Sequence, residues 1–241
     1  MEKKKINVQL IIIVILVICL IGTSGFIVYD KFIKDNSSVT DSENDIEEKL
    51  ENGKVTITPE IEAKVTDFTA LESFGKVIDS EFRNKNVFDD AYVRVDYVTH
   101  IIQTIEKSCM WTSGATRQET PYVLYDTYKK KYESIYGDLY NLETDLQAEY
   151  VGLSARRDCD DPELSGGNYI CWMGTRGVNP SQLKMELNDK NIEDNTYILS
   201  GTYNIGIINT DVISETGTFE IKYVIENNDA YLSSFIMTPD K

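Results

Sequence analysis

Apolar residues change their spacing along the chain, and this change divides the sequence into three regions. Residues 10–29, LIIIVILVICLIGTSGFIVY, form one apolar run without a charged side chain. Between residues 57 and 137, apolar side chains recur every three or four positions, which predicts helices. From residue 168 onward, apolar and polar residues alternate or β-branched and aromatic residues cluster, which predicts strands. The pattern therefore predicts a membrane-spanning helix, then a helical half, then a sheet.

The helical half is predicted to hold three helices. Thr58 is a suitable N-cap for the first, and Pro59 fits its first turn. In the third helix Thr120 is the predicted cap, Pro121 takes the first helical position and Gly137 ends the helix. The predicted helices cover residues 58–82, 89–110 and 120–137.

The second half is predicted to form strands joined by tight turns. The sequence ENND at residues 226–229 is typical of a hairpin turn between the last two strands. Helices followed by consecutive hairpins favour an α+β domain with an antiparallel sheet. The predicted strands are residues 168–173, 183–187, 196–208, 217–225 and 230–237.

Residues 8–29 are predicted to contact the membrane, with the apolar run as a single-pass anchor. Twenty helical residues rise about 30 Å, which matches the hydrocarbon thickness of a bilayer. Lysines at positions 3–5 precede the run, so the positive-inside rule places the N-terminus in the cytoplasm and the C-terminal domain outside. A cleaved signal peptide is the alternative. The apolar FIVY that follows IGTSG favours an uncleaved anchor.

Composition and charge complete the domain organisation. We expect residues 1–34 to be a short cytoplasmic tail and transmembrane anchor, residues 35–56 an acidic flexible linker, and residues 57–241 an extracytoplasmic α+β domain. The linker is too polar to bury a core. The whole chain has a net charge of −16, and this acidity disfavours nucleic acid as a partner. A protein, a wall polymer or a small ligand remains as the binding partner.

Two cysteines flank a loop rich in acids and glycines at residues 156–174, RRDCDDPELSGGNYICWMG. We predict a disulfide between Cys159 and Cys171, because thiols outside the membrane can oxidise and little else in this loop would order it. Closing this loop lowers the conformational entropy of the unfolded chain, which would stabilise the fold by about 3 kcal/mol. Cys109 would then be a reduced, buried thiol. A bond between Cys109 and Cys171, or no disulfide at all, are the alternatives.

No catalytic residue, metal ligand or cofactor site is predicted from the sequence. His100 and Cys109 share the second predicted helix, but nine residues at 100° each place them on opposite faces, with Cys109 in the core and His100 in solvent. Three cysteines and one histidine outside the anchor do not make a zinc motif. The acidic segments starting at Asp158 and Asp189 both lack the glycine that a calcium-binding EF-hand loop requires.

Aromatic residues supply the candidate binding surface. Several tyrosines of the third predicted helix lie on one face, where they could stack on sugar rings or on a peptide. The alternative interpretation is an amphipathic helix that packs on the sheet. Two tryptophans lie next to loops and complete the candidate set, which is Tyr125, Tyr128, Tyr132, Tyr136, Trp111 and Trp172.

The tyrosine-rich stretch YDTYKKKYESIYG at residues 125–137 resembles the third helix of nuclear-transport-factor-like, or cystatin-like, proteins. In outline, residues 57–241 resemble the membrane-tethered outer domains of this kind in Gram-positive bacteria. The resemblance implies a concave pocket between helices and sheet. It carries no functional residue, because no catalytic motif of that family is present.

Three functions therefore stand as hypotheses. The leading one is a non-catalytic, membrane-anchored outer module that binds an envelope partner, a wall polymer or a small ligand. The second is a cell-envelope hydrolase that uses carboxylates or tyrosine in a pocket. The third is a sensor or accessory subunit coupled to a partner through its transmembrane helix.

Overall fold

Helices and strands follow each other in the predicted order, helices first and the large sheet last. The computed structural model describes residues 55–75, 78, 80–112, 120–148, 155–157, 159, 164, 166–172, 181–208 and 210–241. The predicted anchor, and the linker up to residue 54, lie outside the described residues. In the part of the chain that is described, no helix is long and apolar enough to cross a membrane.

Two short helices replace the first long helix that the sequence predicts. Helix α1 is Pro59–Thr66, and helix α2 is Thr69–Gly75. The predicted cap is confirmed, because the Thr58 hydroxyl accepts a hydrogen bond from the Ile61 amide at 3.3 Å. The break comes at Asp67, whose carboxylate accepts from the Thr69 amide at 3.0 Å and so starts α2. Two 3₁₀ turns, Ser80–Phe82 and Val87–Asp89, follow.

The second predicted helix ends earlier than expected. Helix α3 is Ala91–His100, and it continues as a π-helical turn over Ile101–Ile105. The chain then leaves the helix, and Lys107 has a positive φ of 52°. The prediction that the helix reaches residue 110 is therefore wrong. Cys109 is not on a helical stripe, and it is half-buried rather than fully buried.

The predicted start of the third helix is also wrong, although its end is confirmed. Pro121–Leu124 form strand β2, and helix α4 is Tyr125–Tyr136. The strand forms because β2 has a neighbour on each side: β1 (Met110–Trp111) and β3 (Tyr169–Cys171) both pair with it antiparallel. Gly137 ends α4 with a φ of 56°. A short helix α5, Leu142–Leu146, follows.

The second sheet has four long strands in sequential order. They are β4 (Ser181–Glu193), β5 (Thr196–Ile207), β6 (Ile213–Glu226) and β7 (Asp229–Pro239), and all neighbours are antiparallel. The predicted hairpin turn between β6 and β7 is confirmed, since Asn227 and Asn228 have φ values of 54° and 61°. Strand β4 is much longer than the predicted residues 183–187.

The helices pack on one face of this four-stranded sheet, as the α+β prediction requires. Along β5 and β6 every second side chain is buried, which is the alternation expected of a sheet with one covered face. Leu199 and Ile221 are completely buried there. Phe68, next to α2, meets Phe219 edge to face, with ring centroids 5.5 Å apart.

A buried ion pair joins the three helices α3, α4 and α5. Arg94 of α3 contacts both carboxylate oxygens of Asp145 of α5, at 2.6 Å from Nε and 2.5 Å from Nη2. The Tyr132 hydroxyl of α4 donates to the same carboxylate. Burial, and then the hydrogen bond to Asp145, raise the pKa of Tyr132. Because all three side chains are buried and hydrogen-bonded, the network holds the helical half in one arrangement.

Candidate functional site

The outer side of the three-stranded sheet carries an exposed apolar and aromatic surface. Its members are Met110, Tyr122, Leu124 and Tyr169, which we call the aromatic face. Met110 lies opposite Tyr122, and Leu124 lies opposite Tyr169, so the four side chains share one side of the pleat. Met110 and Leu124 are 42% and 47% exposed, and the two tyrosines are half-buried. A continuous apolar surface of this kind is typical of an interaction site.

The local sequence explains why these residues are displayed. In PYVL the side chain of Val123 points the other way and is buried, and across the sheet Ile170 does the same. These two residues fix the small sheet to the core, and the pleat then directs Tyr122 and Tyr169 outward. The two tyrosine rings meet edge to face, with centroids 5.6 Å apart and an angle of 86° between planes. Such a pair adds about 0.5–1.5 kcal/mol beyond the area it buries.

The predicted disulfide borders this face. Cys159 and Cys171 are bonded, with their Cα atoms 5.8 Å apart, and Cys109 is free. The preferred pairing from sequence is therefore confirmed. Cys171 lies directly opposite Tyr122. Arg156 and Cys171 also exchange two backbone hydrogen bonds, at 2.9 and 3.0 Å, so the chain leading to Cys159 runs beside β3.

Arg157 forms a polar rim next to the aromatic face. Its guanidinium lies over the ring of Tyr125, 4.3 Å from the centroid, and donates to the Gly167 carbonyl at 3.0 Å. It also pairs with the Glu143 carboxylate at 3.3 Å. Arg157 thus connects the disulfide loop to the starts of α4 and α5.

Tyr125 is part of this rim and stays neutral at ordinary pH. Its hydroxyl donates to Glu143. Burial, and then the hydrogen bond and negative charge of Glu143, raise the pKa of Tyr125 to about 12. A phenol with this pKa is a hydrogen-bond donor and not a base near neutrality.

The other tyrosines of the predicted binding surface belong to the core. Tyr128, Tyr132 and Tyr136 are at most 1% exposed, so the prediction that they form a binding surface is wrong. The Tyr128 hydroxyl donates to the Val95 carbonyl at 2.8 Å, and the Tyr136 hydroxyl to the Arg94 carbonyl at 3.2 Å. The alternative interpretation, an amphipathic packing helix, describes these three residues.

The two tryptophans of the candidate set have different environments. Trp172 is 2% exposed, and its indole donates to the Gln103 side chain at 2.8 Å, so it cannot serve as a binding surface. Trp111 is 44% exposed in β1, next to Met110. Trp111 lies opposite Pro121, so its side chain points to the other side of the pleat from Met110 and is not part of the aromatic face. Of the six predicted aromatic residues, Tyr125 alone therefore lies beside this face, at its rim.

His100 and Cys109 do not form a nucleophilic pair in the described structure. The His100 ring is half-buried, lies 5.6 Å from the Phe74 ring and shares a hydrogen bond of 2.8 Å with the Ser73 hydroxyl. The prediction of a solvent-facing histidine is therefore wrong, because α2 packs against this side of α3. Burial raises the pKa of the Cys109 thiol, which is the opposite of what a nucleophilic cysteine requires.

The acidic segments that start at Asp158 and Asp189 have ordinary structural positions where they are described. Asp189 and Glu193 lie on β4, and Asp194, with a φ of 53°, makes the turn into β5. Most of residues 158–165 lie outside the described residues. Among the described side chains, no three His, Cys, Asp or Glu residues are grouped so that they could hold a metal ion.

None of the four aromatic-face residues belongs to the set predicted from the sequence, and neither does Arg157 at the rim. The missed residues are Met110, Tyr122, Leu124, Tyr169 and Arg157. The alternation of apolar and polar positions in PYVL and in NYIC is a usable signal for these strands, but Pro121 equally suits a helix start. Arg157 gave no signal, since its partners are 10 to 32 positions away along the chain.

Comparison with known protein families, with curated proteins and with solved structures finds no match to this chain. The resemblance to nuclear-transport-factor-like outer domains therefore receives no support from these comparisons.

Proposed function

We propose that this chain is a membrane-anchored, extracytoplasmic module that binds an envelope protein through the aromatic face and catalyses no reaction. The observation that carries the proposal is the aromatic face itself, with Arg157 at its rim. Tyrosine, tryptophan, methionine and arginine are the residue types enriched at protein interfaces. The exposed or half-exposed group of Met110, Tyr122, Tyr169 and Arg157 has this composition.

Rigidity of the site also supports binding. The small sheet is held from below by Val123 and Ile170 and from the side by the disulfide. The Arg157 contacts to Gly167 and Glu143 restrain the described chain at Gly167, just before β3. A surface that is ordered before it binds loses less conformational entropy on association, so more of the contact energy appears as affinity.

The proposed location rests on the sequence and on the disulfide. Residues 10–29 are apolar and follow lysines, as expected for an anchor whose C-terminal side is outside. A structural disulfide suits an oxidising compartment. Both observations are consistent with an outer domain linked to the membrane by residues 35–56.

A direct test is photo-crosslinking from the aromatic face in intact cells. The full chain would carry a photoreactive residue at Leu124, and at Ile192 as the control, which is 37% exposed on β4. We expect one discrete protein adduct from Leu124, at least tenfold stronger than from Ile192, and its loss in a Met110→Glu variant. The contradicting result is no adduct, or an adduct that Met110→Glu leaves unchanged. Co-sedimentation with purified wall polymer that Met110→Glu prevents would assign the same face to a polymer instead.

The hydrolase hypothesis predicts a different chemistry. Catalytic carboxyl groups in a pocket would have raised pKa values. Hydrogen bonds to amides and hydroxyls at helix starts lower the pKa values of Glu60 and Asp67. Half of the residues that line a cavity of about 470 Å³ on the open face of the large sheet have hydroxyl or amide side chains, and Glu220 supplies its carboxyl group. Hydrolysis of a wall fragment by the purified chain would refute the binding proposal in favour of this one.

The sensor hypothesis depends on the transmembrane segment and not on the outer domain alone. It predicts that residues 10–29 make specific contacts with another helix. If an unrelated apolar anchor replaces them and function survives, the segment is only a tether, as the binding proposal requires.

A further inference from the structure

The edges of the two sheets differ in whether their backbone groups are capped. At the β7 edge of the large sheet, the Phe235 amide donates to the Asn86 side chain at 3.0 Å. At its β4 edge, the Met185 amide donates to the Glu72 carboxylate at 2.8 Å. The β3 edge of the small sheet is occupied by the backbone of Arg156. Contacts of this kind oppose the addition of another strand to a sheet.

Strand β1 forms the remaining edge, and there the backbone of Trp111 is directed outward. The Thr112 amide donates to the Thr120 carbonyl at 3.0 Å, so these two residues are a hydrogen-bonded pair of the β1–β2 ladder. Such pairs alternate with pairs that are not hydrogen-bonded, and Trp111 with Pro121 is the next pair. Pro121 has no amide hydrogen, and its carbonyl accepts from Trp172 at 3.3 Å, on the β3 side. The amide and carbonyl of Trp111 therefore point away from β2.

Both sides of β1 are open as well as its edge. In the part of the chain that the structure describes, no hydrogen bond to the outward amide and carbonyl of Trp111 is present. The side chains of Met110 and Trp111 are 42% and 44% exposed, and they point to opposite sides of the pleat. The neighbouring strand β2 differs, since its Val123 is buried while Leu124 is exposed. Strand β1 is thus not covered by the core on either side.

This arrangement distinguishes between two ways of binding a partner. A flat surface that docks on the aromatic face would cover Met110 but would leave the Trp111 indole and backbone open. An extended segment beside β1 would contact all three, because its backbone would bond to Trp111 and its side chains would alternate between the two sides of the sheet. Since both sides are apolar, the segment is expected to be a short run of consecutive apolar residues. The residue that donates to the Trp111 carbonyl cannot be proline.

Charge argues against a second copy of this chain as the source of the segment. Each copy has a net charge of −16, and like charge opposes self-association. A segment of a different protein carries no such penalty.

We infer that the partner protein adds an extended, apolar segment to β1 as a fourth strand of the small sheet, hydrogen-bonded to the backbone of Trp111. The inference rests on the proposed function and deepens it, because it specifies which kind of structure the envelope protein presents. It also gives Trp111 a role through its backbone and through the side of the sheet that faces away from the aromatic face.

The first test compares Trp111→Pro with Trp111→Ala in the full chain. Both variants lose the indole, but only the proline variant also lacks the outward amide hydrogen. The proline leaves the β1–β2 hydrogen bonds in place, and proline is tolerated at a sheet edge. In the Leu124 crosslinking experiment in intact cells, we expect the protein adduct of Trp111→Pro to be at least fivefold weaker than that of Trp111→Ala. Melting temperatures of the two variants measure whether both keep the fold.

Hydrogen exchange tests the same bond without any substitution. The segment of the captured protein that carries the crosslink would be synthesised as a peptide and mixed with the full chain in detergent. We expect the Trp111 amide to exchange fast in the free chain and at least tenfold more slowly with the peptide. The control is the Ile192 amide at the β4 edge, which already donates to the Asn191 side chain at 2.9 Å and should not change.

The outcomes separate this inference from the proposed function. Equal adducts from two folded variants, or a Trp111 amide whose exchange the peptide leaves unchanged, overturn the inference. The proposed function still stands in that case if the natural chain gives the Leu124 adduct and Met110→Glu prevents it. An adduct with a second copy of this chain also overturns the inference. If the natural chain gives no adduct, the proposed function and the inference are both contradicted.

Discussion

The two sheets of this protein are built in opposite ways. The four strands of the large sheet follow each other along the chain, and the described turns between them are short. The small sheet joins strands that are far apart in sequence, since β2 and β3 are separated by α4, α5 and the disulfide loop. The large sheet is stabilised by hairpins and a continuous core. The small sheet relies on a disulfide and a few side-chain contacts, and it carries the exposed aromatic face.

The difference shows that the sheet with the binding surface needs additional long-range contacts to be ordered. A sheet of consecutive hairpins forms from local contacts, whereas closing long loops costs chain entropy before any contact is gained. The disulfide between Cys159 and Cys171 and the ion pair between Arg94 and Asp145 reduce this cost in the helical half. We therefore expect the two regions to depend on different interactions for their stability.

The largest effect is expected when the buried ion pair is broken. Asp145→Ala leaves the Arg94 guanidinium buried without its carboxylate, and we expect a loss of about 3–5 kcal/mol in the free energy of unfolding. The control is Glu133→Ala, which removes an exposed partner of Lys129 at 3.7 Å and should cost less than about 0.5 kcal/mol. Urea denaturation of both variants measures the difference. Equal losses would contradict the structural role of the pair.

A slightly smaller effect is expected from the core of the large sheet. Leu199 is completely buried in β5, so Leu199→Ala should cost about 2–4 kcal/mol through lost burial and the cavity it leaves. Because the hairpins form one cooperative unit, hydrogen exchange should become faster in all four strands together. Faster exchange confined to β5 would mean that the large sheet is not a single unit.

Removing the disulfide should have a local effect. In the double variant Cys159→Ser, Cys171→Ser, we expect the free energy of opening the three-stranded sheet to fall by about 3 kcal/mol. Amide exchange should accelerate at Tyr122 and Ile170, while the amides of Leu199 and Ile221 keep their protection. Cys109→Ser, which removes a free thiol, is the matched control. It should change neither the stability nor the amide exchange rates. Uniform loss of protection in both sheets would refute the proposed independence of the two regions.

The smallest effect concerns the rim and depends on pH. Since the pKa of Tyr125 is raised from 10 to about 12, its contribution to stability is complete below about pH 10 and is lost as the pH rises towards about 12. Tyr125→Phe should cost about 0.5–1 kcal/mol at neutral pH through the lost hydrogen bond to Glu143. It should also weaken the fall in stability above pH 10. Denaturation curves at neutral pH and at several values above pH 10 check this. If stability falls equally steeply with pH in the variant and in the natural protein, the prediction is contradicted.

The parts of the fold that sequence predicts well are those fixed by local patterns. The alternation in β5, β6 and β7 and the Asn227–Asn228 turn are visible in the sequence because neighbouring residues determine them. The start of β2 at Pro121 was mispredicted because a proline suits both a helix start and a strand edge, and its strand partners are distant. Likewise, the break at Asp67 and the early end of α3 depend on tertiary packing, which the spacing of apolar residues along the chain does not reveal.

The candidate site was partly predictable for the same reason. The disulfide followed from composition and compartment, and Tyr125 from its residue type. The burial of Tyr128, Tyr132 and Tyr136 follows from helix packing, which only the assembled fold decides. Arg157 reaches Tyr125 and Glu143 through a long-range contact, so no local pattern marks it.

The most direct test of the account is the state of the cysteines in intact cells. In a Cys19→Ser, Cys109→Ser background, the full chain would be treated with a membrane-impermeant maleimide, with and without a reductant and after mild denaturation. We predict that Cys159 and Cys171 are labelled only after reduction and without cell lysis, which would place a disulfide-closed domain outside the membrane. Labelling without reductant would contradict the disulfide, and labelling only after lysis would contradict the outer location on which the proposed function depends.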